Sequence, residues 1–166
     1  MSLRLQVSVD AAAAPETVWA EMTDWAGQGR WIPFTTVRSL DPDDQRQGVR
    51  VVALSGFWLG RIPVGLLDRF VVTGWTPPVD GGIGELEVLH LGPYFTGEGV
   101  FRVEGVGDAS AGSPASRITA TEIFTLLGGR PVEAVVGLVL PVMRLAFRAS
   151  LRALRNVVES SRRAPA

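Results

Sequence analysis

The chain has one histidine, His90, the single side chain whose ordinary titration falls near neutral pH. A carboxylate that can reach it follows from strand parity. Across residues 117–127, Ile118, Ala120, Phe124 and Leu126 share a face with Glu122. Arg117, Thr119, Thr121 and Thr125 alternate with them, and Ile123 joins that second face. Across residues 85–91, Leu86 and Val88 share a face with His90. If both apolar faces look into one interior, His90 and Glu122 line the same cavity. An imidazole near a carboxylate in an apolar pocket suits general acid–base work, because burial and pairing tune both groups. The plainer readings are a hydrogen-bonded structural histidine and a Glu122 paired with an arginine such as Arg69 or Arg50. The expectation is ligand contact by His90 and Glu122, with no catalytic residue assigned.

Other chemistries are closed off by composition. There is no cysteine, so disulfides, thiolate nucleophiles and cysteine-ligated metals are excluded. All 16 basic residues are arginine, which removes lysine Schiff bases and the lysine of a phosphate-binding loop. One histidine rules out histidine-rich metal sites. Neither a metal nor a cofactor is expected. A net charge of -1 gives no general pull towards nucleic acid, and 46% hydrophobic residues over 166 positions suit one globular domain. The opening Met-Ser-Leu-Arg-Leu-Gln lacks the apolar core of a signal peptide. The most apolar run, 134–140, is too short for a span of ~20 residues. A cytoplasmic protein without stable membrane insertion is expected.

These side chains need elements to hold them. Leu3, Leu5, Val7 and Val9 alternate with polar residues, the pattern of a half-buried strand. Pro15-Glu16 opens a short helix to about Thr23, and Asp24 can cap a second one, to about Arg30. Strands are expected at 34–40, 49–54, 67–75, 85–91, 94–106 and 117–127, punctuated by Gly/Pro-rich turns. Residues 55–63 read as an unusual loop, with Phe57-Trp58 exposed as a lid or mouth, or else folded onto its own core. The last element, 131–160, is a long helix. Met143, Phe147, Leu151, Leu154 and Val158 form one stripe on it, and Arg144, Arg148, Arg152, Arg155 and Glu159 form another. The arginine stripe reads as a solvated face. Pro141 predicts a kink or a break there. Residues 138–142 are apolar almost all round, which fits either a homodimer contact or deep burial.

Strands joined by short turns, bracketed by helices, make an α+β protein: a curved antiparallel sheet of about seven strands around the long helix, with two short helices after the first strand. An apolar space remains between sheet and helix. Trp31, Phe34, Phe57, Trp58, Phe70, Phe101 and Phe124 sit on elements that should surround it, with Met143 and Phe147 on the helix; filling of the core is the bland alternative. Gly97 and Gly99 share a face with Phe101 and leave either a bend or room for a ligand.

Several stretches are similar to known sequences. Ala14-Pro15-Glu16-Thr17-Val18-Trp19, Thr23-Asp24-Trp25 and Trp31-Ile32-Pro33 resemble the opening of polyketide cyclase/dehydrase-like members of the START-like (SRPBCC) superfamily. His90-Leu-Gly-Pro, Gly97-Glu-Gly-Val-Phe101 and Thr121-Glu122 resemble later strands of bacterial members. The resemblance implies a helix-grip fold over residues 1–161 and an internal cavity for a lipid, quinone or polyketide-like compound; residues 162–166 read as a frayed tail. No invariant catalytic motif of that superfamily maps onto the chain. Two functions follow: a binding module for a hydrophobic or aromatic small molecule, or an aromatase/cyclase-type enzyme using His90 and Glu122.

Overall fold

The computed structural model describes residues 3–59, 62–107, 114–126 and 130–163; side chains at 57–59, 62–63, 126, 130–139 and 162–163 lie outside that description. Strand β1 (Leu3–Ala11) leads into helix α1 (Pro15–Thr23) and a 3-10 helix (Trp25–Arg30). Strands β2 (Thr35–Ser39), β3 (Arg50–Leu59), β4 (Ile62–Thr76), β5 (Gly84–Pro93), β6 (Phe95–Gly105) and β7 (Ser116–Leu126) follow, and helix α2 (Arg130–Arg163) closes the chain. The seven strands form one antiparallel sheet in the order β1-β7-β6-β5-β4-β3-β2. Only β1 is out of sequence; it pairs with β7, and α1 with the 3-10 helix carries the chain from that edge to the other. No described helix is long and apolar enough to cross a membrane.

The local chemistry explains these elements. Pro15 stands in the first turn of α1, where its missing N–H is no loss. Asp24 caps the 3-10 helix, its Oδ1 accepting from Gly27 N at 3.1 Å. One face of the sheet carries Leu5, Val7, Val72, Leu86, Val88, Val103, Ile118 and Ala120, all buried. Against it pack Val18 and Met22 of α1 and Leu151, Leu154 and Val158 of α2. The apolar stripe of α2 is therefore buried over its last turns. Met143 and Phe147, earlier on the same stripe, are half-buried.

Three sequence expectations change. Residues 55–63 are not a free loop, since β3 runs to Leu59 and β4 begins at Ile62. Gly56 and Gly65 face each other in register, and a Cβ on either would strike the backbone of the other strand. Glycine here permits close strand approach rather than ending a strand. The side chains of Phe57 and Trp58 lie outside the described residues. Helix α2 continues through Pro141 without dividing. Deep burial does not account for the apolar segment around Pro141, because Val142 is 65% exposed.

Candidate functional site

His90 lies towards the end of β5 and Glu122 towards the end of β7, with β6 between them. Alternate strands are ~9–10 Å apart, too far for ordinary facing side chains to hydrogen-bond. The intervening strand removes the obstacle. Gly97 pairs with His90 and Phe124, and Gly99 pairs with Val88 and Glu122. With no side chain at 99, the Glu122 carboxylate lies over that strand and reaches the ring: His90 Nε2 to Glu122 Oε2 is 3.1 Å. The space at Gly99 is thus filled by Glu122 and Val88. At Gly97, a Cβ would meet the backbone of Ile123 and Phe124. The glycines serve close packing, which is neither the bend nor the room for a ligand that the sequence suggested.

The other ring nitrogen is also held. His90 Nδ1 lies 2.8 Å from Asp68 Oδ2 on β4. Asp68 comes within reach beside a β-bulge: Phe70 pairs with His90, but Asp68 pairs with Pro93, so β5 carries one extra residue there. Gly92, within that bulge, has φ +92°, a left-handed conformation that suits glycine. Aromatic rings enclose the cluster. Phe70 and Phe95 flank the imidazole at 5.8 and 5.1 Å between ring centroids. Trp25 packs on Phe70 at 5.8 Å and Phe124 on Phe95 at 6.1 Å.

Electrostatics follow from this geometry. Burial opposes the imidazolium, but the hydrogen bonds to Asp68 and Glu122, with their charge, outweigh it and raise His90 to about 9. At neutral pH the ring is protonated, so both nitrogens donate. Burial pushes the Glu122 carboxyl up, and the hydrogen bond from His90 pulls it part of the way back. The three groups do not converge on a point, because the carboxylates occupy opposite sides of the ring; among the described residues no cluster suits a metal ion.

The structure brings His90, Glu122, Phe70 and Phe124 together from the sequence set. Trp31 is buried in the core with its Nε1 unpartnered, and Phe101 is half-buried against the same core. Phe34 stands apart, 85% exposed with φ +56°, its carbonyl accepting from Gly56 N at 2.7 Å. Phe147 packs on the core from α2, and Met143 is half-buried one turn earlier. Among the described residues Glu122 pairs with His90 and with no arginine, and Arg50 pairs with Asp41 at 2.8 Å. Sequence reasoning missed Asp68 and Phe95. Asp68 shares parity with Phe70 and Val72, and Phe95 with Gly97 and Gly99, so the same parity count marks both. A separate cleft of 330 Å³ is lined by Ala13, Ala14, Thr17, Pro114, Val158 and Ser161. It lies at the other end of β1 and β7, roughly 20 Å along the strands, and its described lining residues carry no charge. The ionisable chemistry is at His90.

Comparison with known proteins agrees with the architecture. The family model described as polyketide cyclase/dehydrase and lipid transport matches residues 2–159. No curated protein matches the chain. Among solved structures, one from Thermus thermophilus superposes with a TM-score of 0.69 at 14% identity, covering 96% of this chain and 99% of that one. A START superfamily protein from Mycobacterium smegmatis gives 0.62 at 16%, covering 95% and 97%. The Zhui aromatase/cyclase from Streptomyces also gives 0.62 at 16%, covering 96% and 94%. At such identities the likeness concerns the fold.

Proposed function

The chain belongs to the polyketide cyclase/dehydrase and lipid transport family, and from that premise we propose that it is a cytoplasmic binding module for a hydrophobic or aromatic small molecule. The ligand is a lipid, quinone or polyketide-like compound, held between the concave face of the sheet and α2. The observation that carries this reading is the aromatic-walled cluster of Asp68, His90 and Glu122 on the helix-facing side of the sheet. Apolar walls supply affinity through desolvation, and a few polar groups fix orientation. Native mass spectrometry of freshly purified protein, followed by denaturation to identify what it carried, tests the proposal. A co-purifying apolar molecule supports it. A clean apo mass with no binding across a panel of lipids, quinones and polycyclic aromatics overturns it.

A second reading has its own observation. Asp68, His90 and Glu122 form a continuous hydrogen-bonded line, and a protonated imidazole between two carboxylates can pass a proton through Glu122. An aromatase/cyclase-type activity would use it as acid and base. His90→Gln keeps polarity at the site but removes the titrating ring. If the chain is such an enzyme, turnover falls by about 100-fold or more while ligand affinity stays within a few-fold. A drop in affinity alone favours the binding module.

A further inference from the structure

The His90 cluster uses up its donors and keeps its acceptors. Both ring N–H groups are directed at carboxylate oxygens, Asp68 Oδ2 and Glu122 Oε2. A ligand that approaches His90 finds no ring N–H without displacing one of them. What remains are the second oxygens. Asp68 Oδ1 is buried with no hydrogen-bond partner, and Glu122 Oε1 accepts no hydrogen bond from the described residues, in a side chain only 8% exposed. Glu122 Oε1 is not among the fully buried unpartnered atoms, so it is the oxygen an outside donor can meet directly, and the Asp68 side chain, 15% exposed, gains a donor for its costly orphaned oxygen by turning towards the same ligand.

Nothing described in the protein supplies that donor. The chain has no lysine. The ion pairs formed by arginines among the described residues are made with other carboxylates: Arg30 with Glu21 and Asp24, Arg46 with Asp43, Arg50 with Asp41, Arg102 with Glu85 and Glu104, and Arg117 with Asp10. One imidazolium faces two carboxylates, so the cluster is net negative, or neutral where Glu122 is protonated. In neither state does it attract an anion. Beyond Asp68 the same face of the sheet is open: Ser55 and Leu66 stand opposite each other in register, Ser55 exposed and Leu66 45% exposed.

We propose that this site selects apolar ligands by a hydrogen-bond-donating polar end, an ammonium above all and a phenol or alcohol next, and rejects ligands ending in a carboxylate. The inference rests on the binding function proposed above and adds the sign of the polar group. Three probes with one ring system test it: naphthylmethylamine, naphthol and naphthoate, titrated calorimetrically near neutral pH. The amine is expected to bind at least about tenfold tighter than naphthoate, with naphthol between, as one charge-assisted hydrogen bond allows. Glu122→Gln and Asp68→Asn, near in shape to the originals, should each reduce the amine-to-naphthoate ratio by about tenfold on the same basis. Equal affinity for the three probes, or a ratio unchanged in both variants, overturns the selectivity while leaving ligand binding intact. If none of the three binds, the binding function falls and the selectivity falls with it.

Discussion

His90 and Glu122 stand on strands that are not neighbours, and their contact depends on what Gly99 lacks. A Cβ at that position would lie 2.8 Å from Val88 Cγ2 and 2.9 Å from Glu122 Oε1. Gly99→Ala should therefore push the carboxylate aside and cost about 1–3 kcal/mol, the usual range for overpacking. Urea denaturation measures that cost. An NMR titration of the imidazole in the same variant should give a value below the wild-type figure of about 9, because one of the two hydrogen bonds that raise it is weakened. Native stability with an unchanged titration would mean that Glu122 has room to shift. Strand parity alone put His90 and Glu122 on one face, which made half of the cluster legible in the sequence. Parity also puts Asp68 on the face of Phe70, but its nearness to His90 depends on one extra residue at 91–92 in the opposite strand. A period of two gives the face and carries no information about such a shift in register.

At the scale of elements, the long helix is anchored at its end. Leu154 is 0% exposed and packs with Leu151 and Val158 beneath the sheet, whereas Leu145 is 65% exposed. Both are leucines on one helix, so their truncation separates burial from helix propensity. Leu154→Ala should cost about 2–5 kcal/mol and Leu145→Ala no more than about 0.5 kcal/mol, read from chemical denaturation midpoints. Equal costs would show that the apolar side of α2 near residue 145 is covered by something in solution. The elements were legible because their periods are strong: alternation in β1, and steps of three and four from Met143 to Val158. The reading failed at residues 55–63, where Gly and Pro suggested a loop. Gly56 and Gly65 are there because two paired strands touch, and a single strand's sequence does not announce its partner's glycine.

For the whole molecule, the buried cluster should govern how stability depends on pH. The chain's net charge is only -1, and the charged pairs Arg117–Asp10 and Arg50–Asp41 lie at the surface. His90 is raised from 6.5 to about 9 on folding. A raised folded value means that the native state holds the proton more tightly, so this stability is complete below the unfolded value and is lost as pH rises through the folded one. At 1.36 kcal/mol per unit, the contribution is about 3 kcal/mol. Glu122, also raised, acts in the same direction at lower pH, since its native form gains a proton more readily than the unfolded one. The lowered Asp10 and Asp41 act oppositely; their stabilisation is present above 3.8 and is lost with acid, towards about 2 for Asp41. Stability should therefore be greatest in mildly acidic solution and should fall between pH 6.5 and 9, the window set by His90. For a domain of this size, 3 kcal/mol corresponds to a drop in Tm of about 6–12 °C. Scanning calorimetry across that window measures it. His90→Gln should start lower and show no fall there, because no imidazole remains to lose its proton. A wild-type Tm that stays level through the window would mean that His90 is not held by both carboxylates in solution, and the donor-depleted site built on that geometry would go with it.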